Sequence, residues 1–130
     1  MASSETRATS PQHLIEQISH HINAGDLEAL LGLYEPEAAF VPRPGEVIDG
    51  LDAIRDALER ILALDPTLSG EVQKVVETND VALVFNRWRL DGTGPEGSPV
   101  EMGGLSADVV RRQPDDGWRV LIDDPWGGGT

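Results

Sequence analysis

Residues 81–90 read VALVFNRWRL, and the fold depends on how this run is taken. It is rich in β-branched and aromatic residues and lies between two turn-forming pairs, Asn79-Asp80 and Asp91-Gly92, as a strand does. Side chains alternate across a strand, so Val81, Leu83, Phe85, Arg87 and Arg89 share one face. Ala82, Val84, Asn86, Trp88 and Leu90 share the other. Both faces are substantially apolar, which suits a sheet covered on both sides. Helices can cover one face. A second subunit is the simplest cover for the other, and Trp88 is expected in that subunit contact.

On either side of this run the same period of two continues, in EVQKVVE, VEMGGLSADVVRR and WRVLID, separated by TND, DGTGPEGSP and QPDDG. Towards the N-terminus the period becomes helical. Ser10-Pro11 reads as a cap and first turn, followed by Leu14, Ile15, Ile18 and Ile22 on one stripe. Asn23-Ala24-Gly25 stops that helix, and Asp26 caps a second carrying Leu27, Leu30, Leu31 and Tyr34 up to Pro36. A short strand AAFVP, a loop PGEVIDG and a third helix, LDAIRDALERILAL, complete the first half. Helices first and strands afterwards predict an α+β fold, with helices on one face of a curved antiparallel sheet.

The chain has 130 residues, enough for one domain. We expect a flexible arm over 1–10, a domain over 11–126 and a flexible glycine-rich tail over 127–130. No cysteine is present, which removes disulfides and thiolate chemistry. The formal net charge of −13 repels phosphate backbones and anionic membranes, so neither nucleic acid nor membrane is an expected partner. No apolar run is long enough to span a bilayer and the N-terminus lacks a secretory pattern, so a cytoplasmic location is expected. His13, His20 and His21 have no metal-ligand spacing, and GTGPEG lacks the strand-to-helix setting of a phosphate loop; no metal or cofactor is expected.

INAGDLEALLGLYEPEAAFVPRPG, residues 22–45, and the helix opening GLDAIRDAL resemble ketosteroid isomerase and the SnoaL-like polyketide cyclases of the nuclear-transport-factor-2-like superfamily. The resemblance runs from about Pro11 to Trp126. It implies an α+β cone with three helices in the N-terminal half, enclosing a pocket for a small organic ligand, and a homodimer. It also places the isomerase's tyrosine at Ile18 and its aspartate base at Pro42. Neither side chain moves a proton, so steroid isomerisation is not expected.

One isomerase position survives, the oxyanion-stabilising aspartate, at Asp108. The same alignment puts Arg87, Arg89, Ser106, Ile122, Asp124 and Trp126 on the concave face. Ile18, Ile22, Tyr34, Phe40 and Phe85 are the further expected pocket residues. An arginine between two aspartates also resembles limonene-type epoxide hydrolases, with Arg87 and Asp124 in matching places; the second aspartate of that set falls at Arg89 and its asparagine near Pro42.

The last strand, GWRVLIDDPW, ends in adjacent carboxylates. If it stays regular, Asp124 continues the face of Trp118, Val120 and Ile122 into the pocket, and Asp123 points away. The competing reading makes Asp123-Asp124-Pro125 a turn initiator. Two function classes stay open. One is a cofactor-free acid–base enzyme of isomerase, cyclase or epoxide-hydrolase type, with Asp124 as base, Asp108 as acid and Arg87 as orienting charge. The other is a ligand-binding or dimerisation module without turnover.

Overall fold

The computed structural model describes residues 7–128. Helix α1 (Pro11–Ala24) starts where Ser10 Oγ accepts the His13 N–H at 3.0 Å and ends at Gly25, whose φ of 70° favours glycine. Its apolar stripe buries Leu14, Ile15 and Ile22. Asp26 caps α2 (Leu27–Leu31) through the Ala29 N–H at 3.1 Å. This helix is one turn shorter than its apolar spacing predicts, because Tyr34 already belongs to the first strand. Strand β1 (Tyr34–Arg43) is followed by β2 (Glu46–Asp49), a short strand inside the expected loop. Helix α3 (Leu51–Leu62) buries Ile54, Ala57 and Leu58.

Four strands complete the chain: β3 (Thr67–Thr78), β4 (Val81–Thr93), β5 (Pro99–Arg112) and β6 (Trp118–Asp124). The single sheet runs β2-β1-β6-β5-β4-β3, with every pair antiparallel except β1–β6. The sheet is curved and unclosed, and the three helices complete an α+β cone. Asn23 fastens the end of α1 to the sheet: its side chain accepts from Leu68 N–H at 2.6 Å and donates to Leu68 O at 2.9 Å.

The faces of β4 are the reverse of the sequence expectation. Ala82, Val84, Asn86 and Leu90 are buried towards the helices, and Trp88 shares their side; Arg87 and Arg89 are exposed on the other. Apolar content cannot choose between two apolar faces, but charge can. Putting both arginines beneath the helices would strand two guanidinium groups in an apolar layer. The outer face therefore carries Leu83, Phe85, Arg87 and Arg89, and the concave face carries Trp88.

Both expected flexible ends are partly packed. Ala8 is buried and its carbonyl accepts the Trp118 N–H at 3.0 Å. Gly128 N–H donates to Leu105 O at 2.8 Å, and a Cβ there would stand 2.6 Å from Leu105 Cγ. The rest of the expected arm and tail, residues 1–6 and 129–130, lies outside the described residues. Glu35 is buried too, held by Arg111 Nε at 2.8 Å and Gln113 Nε2 at 2.9 Å.

Candidate active site

A cavity of about 210 Å³ lies between the helices and the concave sheet. Ile15, Ile18 and Ile22 of α1, Leu58 and Ile61 of α3, and Phe40 of β1 supply much of an apolar wall. Trp88, Leu90 and Trp126 close it from the sheet side. Polar groups are few: Ser19, Tyr34, Asn86, Ser106, Asp108 and Asp123. Of the expected pocket residues, Ile18, Ile22, Tyr34, Phe40, Ser106, Asp108 and Trp126 stand on this wall.

The carboxylate at the end of β6 that enters the cavity is Asp123. Val120 pairs with Val110 and Ile122 with Val109, so Leu121 is an extra residue with no partner of its own. That β-bulge inverts the alternation. Val120 points inward before it, Ile122 (39% exposed) points outward after it, and Asp123 turns in. Asp124 turns instead to the chain reversal, its Oδ1 accepting the Trp126 N–H at 3.2 Å across Pro125. The pocket carboxylate and the turn initiator both exist, with the two aspartates exchanged.

Asp123 sits directly opposite Asp108 in the β5–β6 register, which brings the two Cβ atoms within about 5.5 Å. Tyr34 donates its hydroxyl to Asp123 Oδ2 at 2.6 Å. Asp108 Oδ1 accepts the Asp124 N–H at 3.1 Å, and Asp108 Oδ2 lies 3.1 Å from Ser106 Oγ. Ser106 in turn reaches Asn86 O at 3.2 Å. A continuous polar line thus runs from Tyr34 through both carboxyls to β4.

Burial governs the charge state of this line. It pushes Asp108 well above the usual carboxylate range, the Asp123 charge pushes further, and the Asp124 N–H and Ser106 hydroxyl draw it partly back. Burial also raises Asp123, against lowering bonds from Tyr34 and Asp108. Tyr34 is raised by burial first and then by the Asp123 charge. Burial thus favours a proton on the pair, and the two carboxyls titrate together. Two carboxyls sharing one proton in an apolar cavity form an acid and a base side by side.

Phe85, Arg87, Arg89, Ile122 and Asp124 are not on the wall. Arg89 pairs with Asp91 at 3.0 Å and approaches Glu101 at 3.6 Å on the outer face. Among the described residues no arginine or lysine lines the cavity, so the carboxyl–arginine–carboxyl set of the epoxide hydrolases does not assemble. Sequence reasoning missed Asp123, Asn86 and Trp88. Asn86 was the readable signal, an amide in the middle of an apolar run. Trp88 Nε1 donates to Pro125 O at 2.7 Å, and its ring meets Trp126 edge to face with centroids 5.2 Å apart.

The family model for the SnoaL-like domain matches residues 15–120. No curated protein sequence matches the chain. Among solved structures, the chain is similar to a ketosteroid isomerase-like protein from Erwinia carotovora atroseptica, at TM-score 0.76 and 15% identity over 86% of this chain and 88% of that one. An NTF2-like superfamily protein from Salmonella enterica serovar Typhimurium gives TM-score 0.75 and 18% identity, covering 90% and 89%. SalBIII, an epoxide hydrolase/cyclase-like enzyme of pyran ring formation in salinomycin, gives TM-score 0.63 and 16% identity, covering 86% and 85%. With the helices over a curved sheet and the matched span together, the chain belongs to the SnoaL-like domain family, and its fold is similar to that of the NTF2-like protein.

Proposed function

We propose that the cone holds a small, mostly apolar organic molecule and performs cofactor-free acid–base chemistry on it. The observation that carries this reading is the pairing of Asp108 with Asp123 in an apolar cavity, with Tyr34 bonded to the second. Asp123 takes a proton from the bound molecule. Asp108 hydrogen-bonds to the oxygen on which negative charge develops and gives it a proton where the reaction requires one. Tyr34 positions Asp123. Isomerase, cyclase and epoxide-opening reactions all use such a pair, and an isomerase-like protein and a cyclase-like enzyme share the fold.

Binding without turnover is the second reading. It is favoured by Ile18 and Pro42, the residues that the resemblance aligns with the tyrosine and the base of ketosteroid isomerase. We further propose a homodimer through the outer sheet face, where Val76 is 47% exposed and Ile122 39% exposed beside half-buried Leu83 and Phe85. Stable dimers cover apolar faces of this kind.

Native mass spectrometry of the purified protein tests the pocket reading through a retained small molecule that denaturation releases. Returning that molecule to fresh protein in D2O separates the two classes. Deuterium incorporation or product formation by wild type but not by Asp123→Asn supports the enzyme. A bound molecule returned unchanged and unexchanged establishes binding alone. A 5-ene-3-ketosteroid should not be turned over in either case.

A further inference from the structure

Ser106 has one hydroxyl hydrogen and two acceptors within reach. Its Oγ stands 3.1 Å from Asp108 Oδ2 and 3.2 Å from the backbone oxygen of Asn86, its partner across β4 and β5. A hydroxyl donates once and accepts through its lone pairs, so it serves one of these oxygens as donor at a time. Ser106 is only 4% exposed and Asp108 only 6%, so bulk water does not answer either group. Which oxygen receives the hydrogen therefore depends on where the proton of Asp108 stands.

The other oxygen of that carboxyl fixes the place. Oδ1 accepts the Asp124 N–H at 3.1 Å, so a proton on Asp108 belongs on Oδ2, the oxygen beside Ser106. With Oδ2 bare, Ser106 donates to it. With Oδ2 protonated, the Ser106 hydrogen turns to Asn86 O and a lone pair is left towards the acid. Both charge states of Asp108 are thus answered by rotation of one hydroxyl. The other groups around the carboxyl are not free to reverse in this way. The Asp124 N–H only donates, and the Tyr34 hydroxyl is committed to Asp123 Oδ2 at 2.6 Å. Asp123 is itself titrating, with the Asp124 charge acting on it. Opposite Asp108, β4 presents Val84, and among the described residues α1 and α3 line the cavity without a charged side chain.

Resting on the acid–base reading just proposed, we infer that Ser106 is the positioning residue of Asp108. Its hydroxyl reverses with the charge of the carboxyl and so lets Asp108 release and regain a proton inside an apolar pocket. A hydrogen bond to a charged acceptor is stronger than one between neutral groups, so the carboxylate gains more from Ser106 than the acid does. The hydroxyl therefore favours release of the proton, against the burial that raises the pKa of Asp108.

Carbon-13 NMR titration of protein labelled at the aspartate carboxyl carbons tests this without a ligand. The Asp108 signal is identified by its loss in Asp108→Asn. In wild type its apparent midpoint should lie above the ordinary carboxylate value near pH 4. Ser106→Ala should raise that midpoint by about one pH unit, because the charged form loses the stronger bond. Ser106→Thr keeps a hydroxyl and should restore the wild-type midpoint. Ser106→Cys is close to serine in size but a weaker donor, and its midpoint should fall between those of wild type and the alanine variant. That ordering remains readable if the threonine variant fails to fold. An unmoved or lowered midpoint in Ser106→Ala, a folded threonine variant that titrates like alanine, or a cysteine midpoint outside that interval overturns the role of Ser106 and leaves the carboxyl pair standing. A wild-type Asp108 that titrates near pH 4 overturns the inference and the acid–base reading together.

Discussion

The two faces of the central strands can be compared residue by residue. On β4, Val84, Asn86 and Trp88 look into the cone, while their neighbours Leu83, Phe85 and Arg87 look out. On β5, Ser106 and Asp108 are buried inward, while Leu105, Ala107 and Val109 are only half-buried. The apolar content is similar, yet polar groups are treated in opposite ways. Inside, Asp108 is enclosed and burial pushes its pKa upwards. Outside, Arg89 keeps its charge in water and pairs with exposed acids. A polar atom on the concave face thus acquires unusual chemistry, whereas on the convex face it only edges an apolar surface.

Adjacent substitutions give the sharpest break of this comparison. Val84 is fully buried and pairs with Asp108, so Val84→Asp puts a third carboxyl beside the coupled pair. It should cost upwards of about 4 kcal/mol, read by urea unfolding. Leu83→Asp, one residue away on the half-exposed face, should cost the protomer about 1 kcal/mol. Equal costs would mean that the faces do not differ as described.

Next in size is association. Phe85→Glu should weaken the proposed dimer about a hundredfold, near 3 kcal/mol, and give a monomer by sedimentation at micromolar concentration. A wild-type monomer under the same conditions would remove the role assigned to the outer face.

Stability against pH probes the inner face. An unfolded Asp108 releases its proton near pH 4, whereas the folded residue keeps it to higher pH. Between those points the native state binds more protons, so stability is fully present below the unfolded pKa and falls as pH rises through the folded one. The slope for one such group is at most about 1.4 kcal/mol per pH unit. Asn mimics the protonated carboxyl without titrating, so Asp108→Asn should flatten the fall from pH 5 to 8. An unchanged slope would show that Asp108 is not the proton holder.

The smallest expected effect is at Trp88. Trp88→Phe removes the bond to Pro125 O and should cost about 1 kcal/mol by thermal unfolding, with no change in oligomeric state. A change in association would return Trp88 to the outer face.

The N-terminal half was largely readable because its signals are local. Ser10, Asp26 and Gly25 cap or stop helices through bonds and dihedral angles within a few residues. The apolar stripe of α1 names the residues that face the cavity. Tyr34 strained this reading, since helical spacing assigned it to α2 although it begins β1. Asp108 was found through the resemblance, and its inward direction follows from a regular β5.

What the sequence by itself determined was therefore the α+β order, the ends of α1 and the start of α2, the family and one carboxyl of the site. The apolar pattern left the inward face of β4 open, and the tertiary structure decided it by settling the helices above the face without Arg87 and Arg89. It alone also decided between Asp123 and Asp124. Alternation along a strand is a local rule that holds while each residue pairs with one partner. The extra residue at Leu121 arises from the pairing of β6 with β5, and no pattern within β6 announces it. One unpaired residue reverses every side chain after it, and that reversal puts Asp123 beside Asp108 and leaves Asp124 to make the turn.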